Sequence, residues 1–156
     1  MLIKINTVIS YLHPALLAVK AKFTIASHYT TAFQSISSIG GITIEYTDQK
    51  EEYAKKLFPN GVEVSRNSGI DKTKVLLNEN HEVLFQPSFK TSSGAFAIID
   101  VLKKVDDNTY HLYEVKSSTS VKTDKMHNHL KDVCFQKFVL SECGINVTSS
   151  HIIHLN

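Results

Sequence analysis

In the second half of the chain, hydrophobic residues occur in runs that predict strands. Residues 95–102 are almost all apolar and rich in branched side chains, which is typical of a strand covered on both faces. After a polar break at residues 106–108, the alternating residues 109–117 predict a second strand joined to the first by a turn. Looser alternation over residues 81–89 predicts a preceding strand, with Pro87 marking a bulge or an edge.

Helical spacing flanks these strands. Residues 124–142 carry apolar side chains at helical intervals, and Gly144 is typical of a helix end. Residues 145–155 then predict the last strand. Upstream, residues 48–58 predict a helix with Asp48 as its cap.

A second short helix is predicted to open at Asp71, with Val75, Leu76 and Leu77 as its buried side. The predicted order of the main elements is therefore helix, three strands, helix and strand. A chain of 156 residues is long enough for one domain with a sizeable core.

The amino-terminal run from Ile3 to Ala26 is the most apolar part of the chain. The first forty residues predict one or two helices, broken near His13 and Pro14, and we expect a helical segment of unknown role over residues 1–40 and the main domain over residues 41–156. Polar residues interrupt the apolar run before it reaches membrane-spanning length, so no membrane span is expected. Lys4 followed by apolar residues also fits a secretory signal peptide, and that alternative stays open.

An aspartate, Asp100, interrupts the apolar run of the first strand. Burying a carboxylate costs several kcal/mol unless donors or a cation compensate it. On the next strand, Glu114 and Lys116 point to one face, because strand side chains alternate with a period of two. If the two strands pair in simple register, Asp100 approaches the same face. The sequence therefore predicts two carboxylates and an ammonium at one place.

The spacing of these residues resembles a known nuclease core. Asp100, thirteen intervening residues and then Glu114-Val115-Lys116, followed by a helix with Gln136, is similar to the PD-(D/E)XK nuclease superfamily and its RecB-like exonuclease branch. The resemblance covers about half the chain, from roughly residue 83 to the end. It implies an α/β fold with a restriction-endonuclease-like core of order αβββαβ, in which helices flank a mixed four-stranded sheet.

This resemblance also implies a chemistry. It implies a divalent-metal-dependent nuclease acting on DNA in repair, recombination, replication or defence. Asp100, Glu114 and the backbone carbonyl of Val115 would hold Mg²⁺ or Mn²⁺, and carboxylate oxygens suit Mg²⁺ better than thiolates or histidines do. Lys116 would orient the attacking water or stabilise the developing negative charge.

The helix residue Gln136 would contact the active site or the bound strand. This sequence departs from the pattern four residues later, where Leu140 stands in place of a frequent tyrosine. An acid from the first helix commonly completes the site in the RecB-like branch, and nothing local distinguishes Glu51 from Glu52 for that role.

Three other interpretations stay open. Lys116 and Glu114 also fit a plain ion pair on an exposed strand, and Gln136 also fits a solvated helix face. A catalytically inactive nucleic-acid-binding or assembly module with the same fold would carry the same pattern. It would bind DNA without metal-dependent turnover.

Net charge and cysteine content bear on the expected partner and cellular location. The net charge of +2 and the pI near 8.5 permit a polyanionic partner such as DNA without requiring one. Cys134 and Cys143 lie about 13 Å apart along one predicted helix, too far for a disulfide. Free thiols suit a reducing cytoplasm, which is the expected location. Whether a partner chain or a second copy joins the assembly stays open.

Overall fold

A mixed β-sheet forms the centre of the protein. The computed structural model describes residues 3–8, 52–64, 69–125 and 128–155. The strands are β1 (Ile3–Val8), β2 (Val62–Glu63), β3 (Val83–Phe85), β4 (Ser88–Lys90), β5 (Phe96–Ile98), β6 (Val101–Asp106), β7 (Thr109–Lys116) and β8 (Asn146–Leu155). The helices are α1, whose described part covers residues 52–57, α2 (Gly69–Asn78) and α3 (His129–Glu142).

The strand order of the main sheet is β1-β8-β7-β6-β3-β2, and β4 and β5 form a separate two-stranded sheet. β7 and β8 are parallel, as are β2 and β3, and the other neighbours are antiparallel. The α/β class and the mixed sheet flanked by helices are thus confirmed. The four predicted strands supply β3, β6, β7 and β8, while β1 and β2 extend the sheet to six strands.

Alternation along the central strands gives the sheet two apolar faces. On one face, Leu102, Leu112 and Ile152 join the α3 residues Val133 and Leu140 in a buried cluster. On the other face, a second cluster consists of Ala54, Val83, Phe85, Val101, Tyr113, Val115 and Ile153, with Phe58 packed against it. Each fully buried aliphatic side chain contributes roughly 1.5–3 kcal/mol. The sheet is therefore held by α3 on one side and by α1 on the other.

The two predicted strands before the turn are each divided. Gln86 and Pro87 separate β3 from β4, and Ile99 and Asp100 separate β5 from β6. The prediction that residues 95–102 form one strand covered on both faces was wrong. β5 belongs to the small sheet, only one of whose faces packs inward, so Phe96 and Ile98 are exposed.

The long helix begins later than predicted, at His129 rather than near residue 124. The side chain of Asn128 accepts a hydrogen bond from the Lys131 N–H at 3.1 Å and so caps the first turn. The other end agrees with the prediction, since Gly144 follows the helix with φ of 80°.

In α2 the predicted buried residue Val75 is 46% exposed, whereas Thr73 and Leu76 are buried. The Thr73 hydroxyl donates to the Gly69 carbonyl and accepts from the Ser88 N–H, at 2.6 and 2.9 Å. Those two bonds satisfy the hydroxyl inside the protein, so Thr73 is buried without an unpaired polar group. The apolar pattern of the sequence does not show these bonds.

The beginning of the chain is a strand where a helix was predicted. Ile3 and Ile5 alternate with Lys4 and Asn6, a period of two that suits a strand, and β1 pairs antiparallel with β8. Residues 3–8 therefore belong to the main sheet. The predicted break at His13-Pro14, the domain boundary near residue 40 and the Asp48 cap lie outside the described residues.

None of the helices in the described ranges is both long enough and apolar enough to cross a lipid bilayer.

Candidate functional site

The register of β6 and β7 brings the predicted acids together. Val101 pairs with Tyr113 and Leu102 pairs with Leu112. Asp100 and Glu114 are the next residues beyond these pairs, so the two acids lie near each other at this end of the hairpin. The Glu114 side chain bonds to α3, whereas Asp100 lines a pocket with Lys55 and Phe85 on the α1 side.

Two donors among the described residues hold the Asp100 carboxylate. The Gln86 side-chain amide donates to Oδ1 at 3.1 Å, and the Val115 backbone N–H donates to Oδ2 at 2.8 Å. Hydrogen bonds to a charged acceptor are worth about 1.5–3 kcal/mol each. They offset the cost of placing an aspartate at the edge of an apolar strand.

The Glu114 carboxyl is buried on the α3 face, with 7% of the residue exposed. Gln136 Nε2 donates to Oε2 at 2.5 Å, and Lys116 Nζ lies 2.7 Å from Oε1. Burial and the negative charge of Asp100 raise the pKa of Glu114 to about 7, although Lys116 and Gln136 act in the opposite direction. Glu114 therefore exchanges its proton near neutral pH.

The Lys116 ammonium bridges two carboxylates. It lies 2.7 Å from Glu114 Oε1 and 2.7 Å from Asp132 Oδ2. Burial lowers the pKa of Lys116, but the attraction of Glu114 and the hydrogen bonds to both carboxylates outweigh it, so the pKa is raised. Because Asp132 shares the ammonium, Lys116 stays charged whether or not Glu114 is protonated.

Helix α3 contributes two polar residues of one stripe to the site. Gln136 and Asp132 are four residues apart and so lie on the same side of the helix. Gln136 is 8% exposed, and its Oε1 is buried without a hydrogen-bond partner among the described residues. The predicted contact of Gln136 with the site is thus seen as a bond to Glu114, and its free carbonyl oxygen can accept one more donor.

Sequence reasoning missed two members of the site. Asp132 was recognisable only by its spacing from Gln136, which does not say what it contacts. Gln86 precedes Pro87, which was predicted to mark a bulge or an edge, and no local signal directs Gln86 toward Asp100.

His129 lies three residues before Asp132 and so belongs to the same side of helix α3, but its contacts differ. It is buried, and its Nδ1 accepts a hydrogen bond from the Lys122 N–H at 3.2 Å. That bond ties the segment after β7 to the start of α3. His129 is therefore better explained as a structural residue than as part of the acidic site.

A shallow pocket opens beside Asp100 on the α1 side of the strand end. Its lining includes Lys55, Gln86, Asp100 and Val115. Lys55 also pairs with Glu63 at 2.7 Å, so part of its charge is already engaged. Of the two first-helix acids named as candidates, Glu52 is exposed and Glu51 lies outside the described residues.

The cysteines and the exposed lysines are not among the partners named above for Asp100, Glu114 and Lys116. Both cysteines are free thiols, and burial raises the pKa of Cys134 and of Cys143. Lys122, Lys125 and Lys131 are exposed, which agrees equally with a DNA-facing surface and with a solvated one. In the part of the chain that the structure describes, no group of three or more His, Cys, Asp or Glu side chains is arranged to hold a metal ion.

Comparison with protein-family models, with curated proteins and with solved structures finds no match to this chain.

Proposed function

We propose that this protein is a divalent-metal-dependent nuclease of the PD-(D/E)XK type that hydrolyses phosphodiester bonds of DNA, in repair, recombination, replication or defence. The observation that supports it most is the convergence of Asp100, Glu114 and Lys116 at one end of the β6–β7 hairpin. A second support is Gln136, which reaches this place from α3.

The residues at this place fit Mg²⁺ or Mn²⁺. Asp100 lies close enough to Glu114 for its charge to raise the pKa of that carboxyl, and a divalent cation between them would relieve the repulsion. A strand residue directs its N–H and C=O to the same side. The Val115 N–H donates to Asp100, and the carbonyl oxygen of the same residue would be the third oxygen ligand.

A bound divalent ion would supply charge neutralisation on the phosphate oxygens and a more acidic water. The chain itself contributes the ammonium of Lys116, a compact positive charge suited to the negative charge that develops on the phosphate. Gln136 holds the Glu114 carboxylate in place, and its Oε1, which has no partner in the described ranges, is an acceptor that can orient a water.

Cleavage of a plasmid and of a labelled oligonucleotide tests this proposal, with Mg²⁺, with Mn²⁺ and with EDTA. We expect cleavage only with a divalent ion, and a loss of about 10²–10³-fold in Asp100→Ala and Lys116→Ala. Lys103→Ala is a matched control, since Lys103 lies on β6 in a surface pair with Glu82. Full cleavage by both site variants would reject these assignments.

One observation favours the alternative of a catalytically inactive binding or assembly module. Lys116 already bridges Glu114 and Asp132, so its ammonium neutralises carboxylate charge that a metal ion would otherwise neutralise. Such a module would retard DNA in a binding assay. It would show no turnover with any divalent ion, and Asp100→Ala would leave its DNA affinity unchanged.

A further inference from the structure

The backbone of Gln86 adopts a conformation that its residue type disfavours. Its φ is 55°, in the left-handed region, and among the described non-glycine residues only Asn80, with φ of 63°, shares this feature. Asparagine enters that region readily because its short side chain bonds locally, whereas glutamine does so rarely. Such strain persists where the surrounding structure imposes it, and it is often found at functional sites.

This conformation lets one residue hold Asp100 twice. The Gln86 backbone N–H donates to the Asp100 carbonyl oxygen at 3.2 Å, and its side-chain amide donates to Oδ1 at 3.1 Å. The next pair of residues is also tied, since the Ile99 N–H donates to the Pro87 carbonyl at 3.0 Å. The segment between β3 and β4 is therefore fastened to the segment between β5 and β6.

Among the described residues, two donors on different segments hold the Asp100 carboxylate. Val115 of β7 donates to Oδ2, and Gln86, between β3 and β4, donates to Oδ1. Rotation of the carboxylate about its χ2 angle would break both bonds together. A carboxylate oxygen can accept more than one partner, so a single N–H bond does not prevent coordination of a cation.

We propose that Gln86 is a positioning residue that fixes the Asp100 carboxylate at the start of β6, with its Oδ2 against the Val115 N–H of β7. The importance of this orientation for metal binding rests on the proposed nuclease function, while the orientation itself does not. Ligand carboxylates in metal sites are held by hydrogen-bonding partners of this kind, and removing such a partner weakens metal affinity by about 10–100-fold.

Three variants separate positioning from backbone strain. Gln86→Ala and Gln86→Gly both remove the side-chain amide, but glycine accepts a positive φ without strain. We therefore expect Gln86→Gly to melt at a higher temperature than Gln86→Ala. Asn80→Gly is the matched control, because Asn80 has the same backbone conformation and its side chain contacts Lys104 instead of the acids.

Mn²⁺ affinity of the folded proteins gives the first readout. Both Gln86 variants are expected to lose about 10–100-fold in affinity, to a similar extent, while Asn80→Gly binds as the unmodified protein does. A purely structural role would instead make affinity follow stability, with Gln86→Gly close to the unmodified protein. That pattern would overturn the proposal.

Exchange of the Val115 backbone amide hydrogen, followed by NMR without metal, gives the second readout. If Asp100 turns away, the Val115 N–H loses its acceptor, and exchange should accelerate about tenfold in both Gln86 variants. Unchanged exchange in both would refute the positioning role. Failure of the unmodified protein to bind Mn²⁺ would instead count against the proposed nuclease function, and the amide measurement would still decide the role of Gln86.

Discussion

Replacing Glu114 by glutamine should change how stability depends on pH. The ordinary pKa of a glutamate is 4.5, and burial with the Asp100 charge raises the pKa of Glu114 to about 7 in the folded protein. Between these values the folded protein keeps a proton that the unfolded chain releases. The free energy of unfolding of the natural protein therefore falls as pH rises from 4.5 through about 7.

The size of this effect follows from the shift. One pKa unit corresponds to about 1.4 kcal/mol, so the rise of Glu114 to about 7 removes about 3 kcal/mol of stability between pH 4.5 and pH 8. Glutamine at this position carries no such proton. Its carbonyl oxygen can still accept from Lys116 or Gln136, so the variant keeps an acceptor where the hydrogen bonds are now.

Urea unfolding of both proteins at several pH values from 4.5 to 8 measures the difference. We expect the stability of the natural protein relative to Glu114→Gln to fall by about 3 kcal/mol over this range. Glu142→Gln, an exposed acid at the end of the same helix α3, is the control and should show no such fall. A difference that stays constant, or one that grows with pH, would refute the reasoning, since it would mean that attraction to Lys116 outweighs the burial of Glu114.

Two further changes test the α3 side of the site. Asp132→Asn removes one charged partner of Lys116, so the ammonium should pair more closely with Glu114, and the Mn²⁺ concentration for half-maximal cleavage should rise. Because the Asp132 side chain is 48% exposed, the unfolding free energy should change by less than about 1 kcal/mol. A loss of more than about 1 kcal/mol of unfolding free energy, with an unchanged Mn²⁺ dependence of cleavage, would contradict this prediction. Asn128→Ala removes the cap that accepts from the Lys131 N–H and should lower the unfolding free energy by about 1 kcal/mol in urea titrations. An unchanged urea midpoint would show that the cap contributes little.

Local pattern predicted much of the central hairpin. The polar residues after β6 predicted the turn, and the observed register pairs Val101 with Tyr113, next to Asp100 and Glu114. The period of two along β7 then placed Glu114 and Lys116 on one face and Val115 on the other. These relations depend on neighbours within about fifteen residues, so they can be read from spacing alone.

The wrong expectations arose where local pattern was ambiguous. A short apolar segment fits a helix or a strand equally well, and residues 3–8 became a strand because β8 offered an open edge. Residues 95–102 were divided because the first part pairs with β4 and the second with β3 and β7. Which strand each segment pairs with is decided by the tertiary structure.

By itself, the sequence determined the acid-x-lysine strand, the turn before it and the helix that bears Gln136, since each follows from side-chain period and turn chemistry. Only the tertiary structure decided that Asp132 shares the ammonium of Lys116 and that Gln86 holds Asp100. Those contacts depend on how α3 lies against the sheet and on a left-handed backbone between two strands. Packing over the whole domain sets both, and no stretch of sequence encodes either locally.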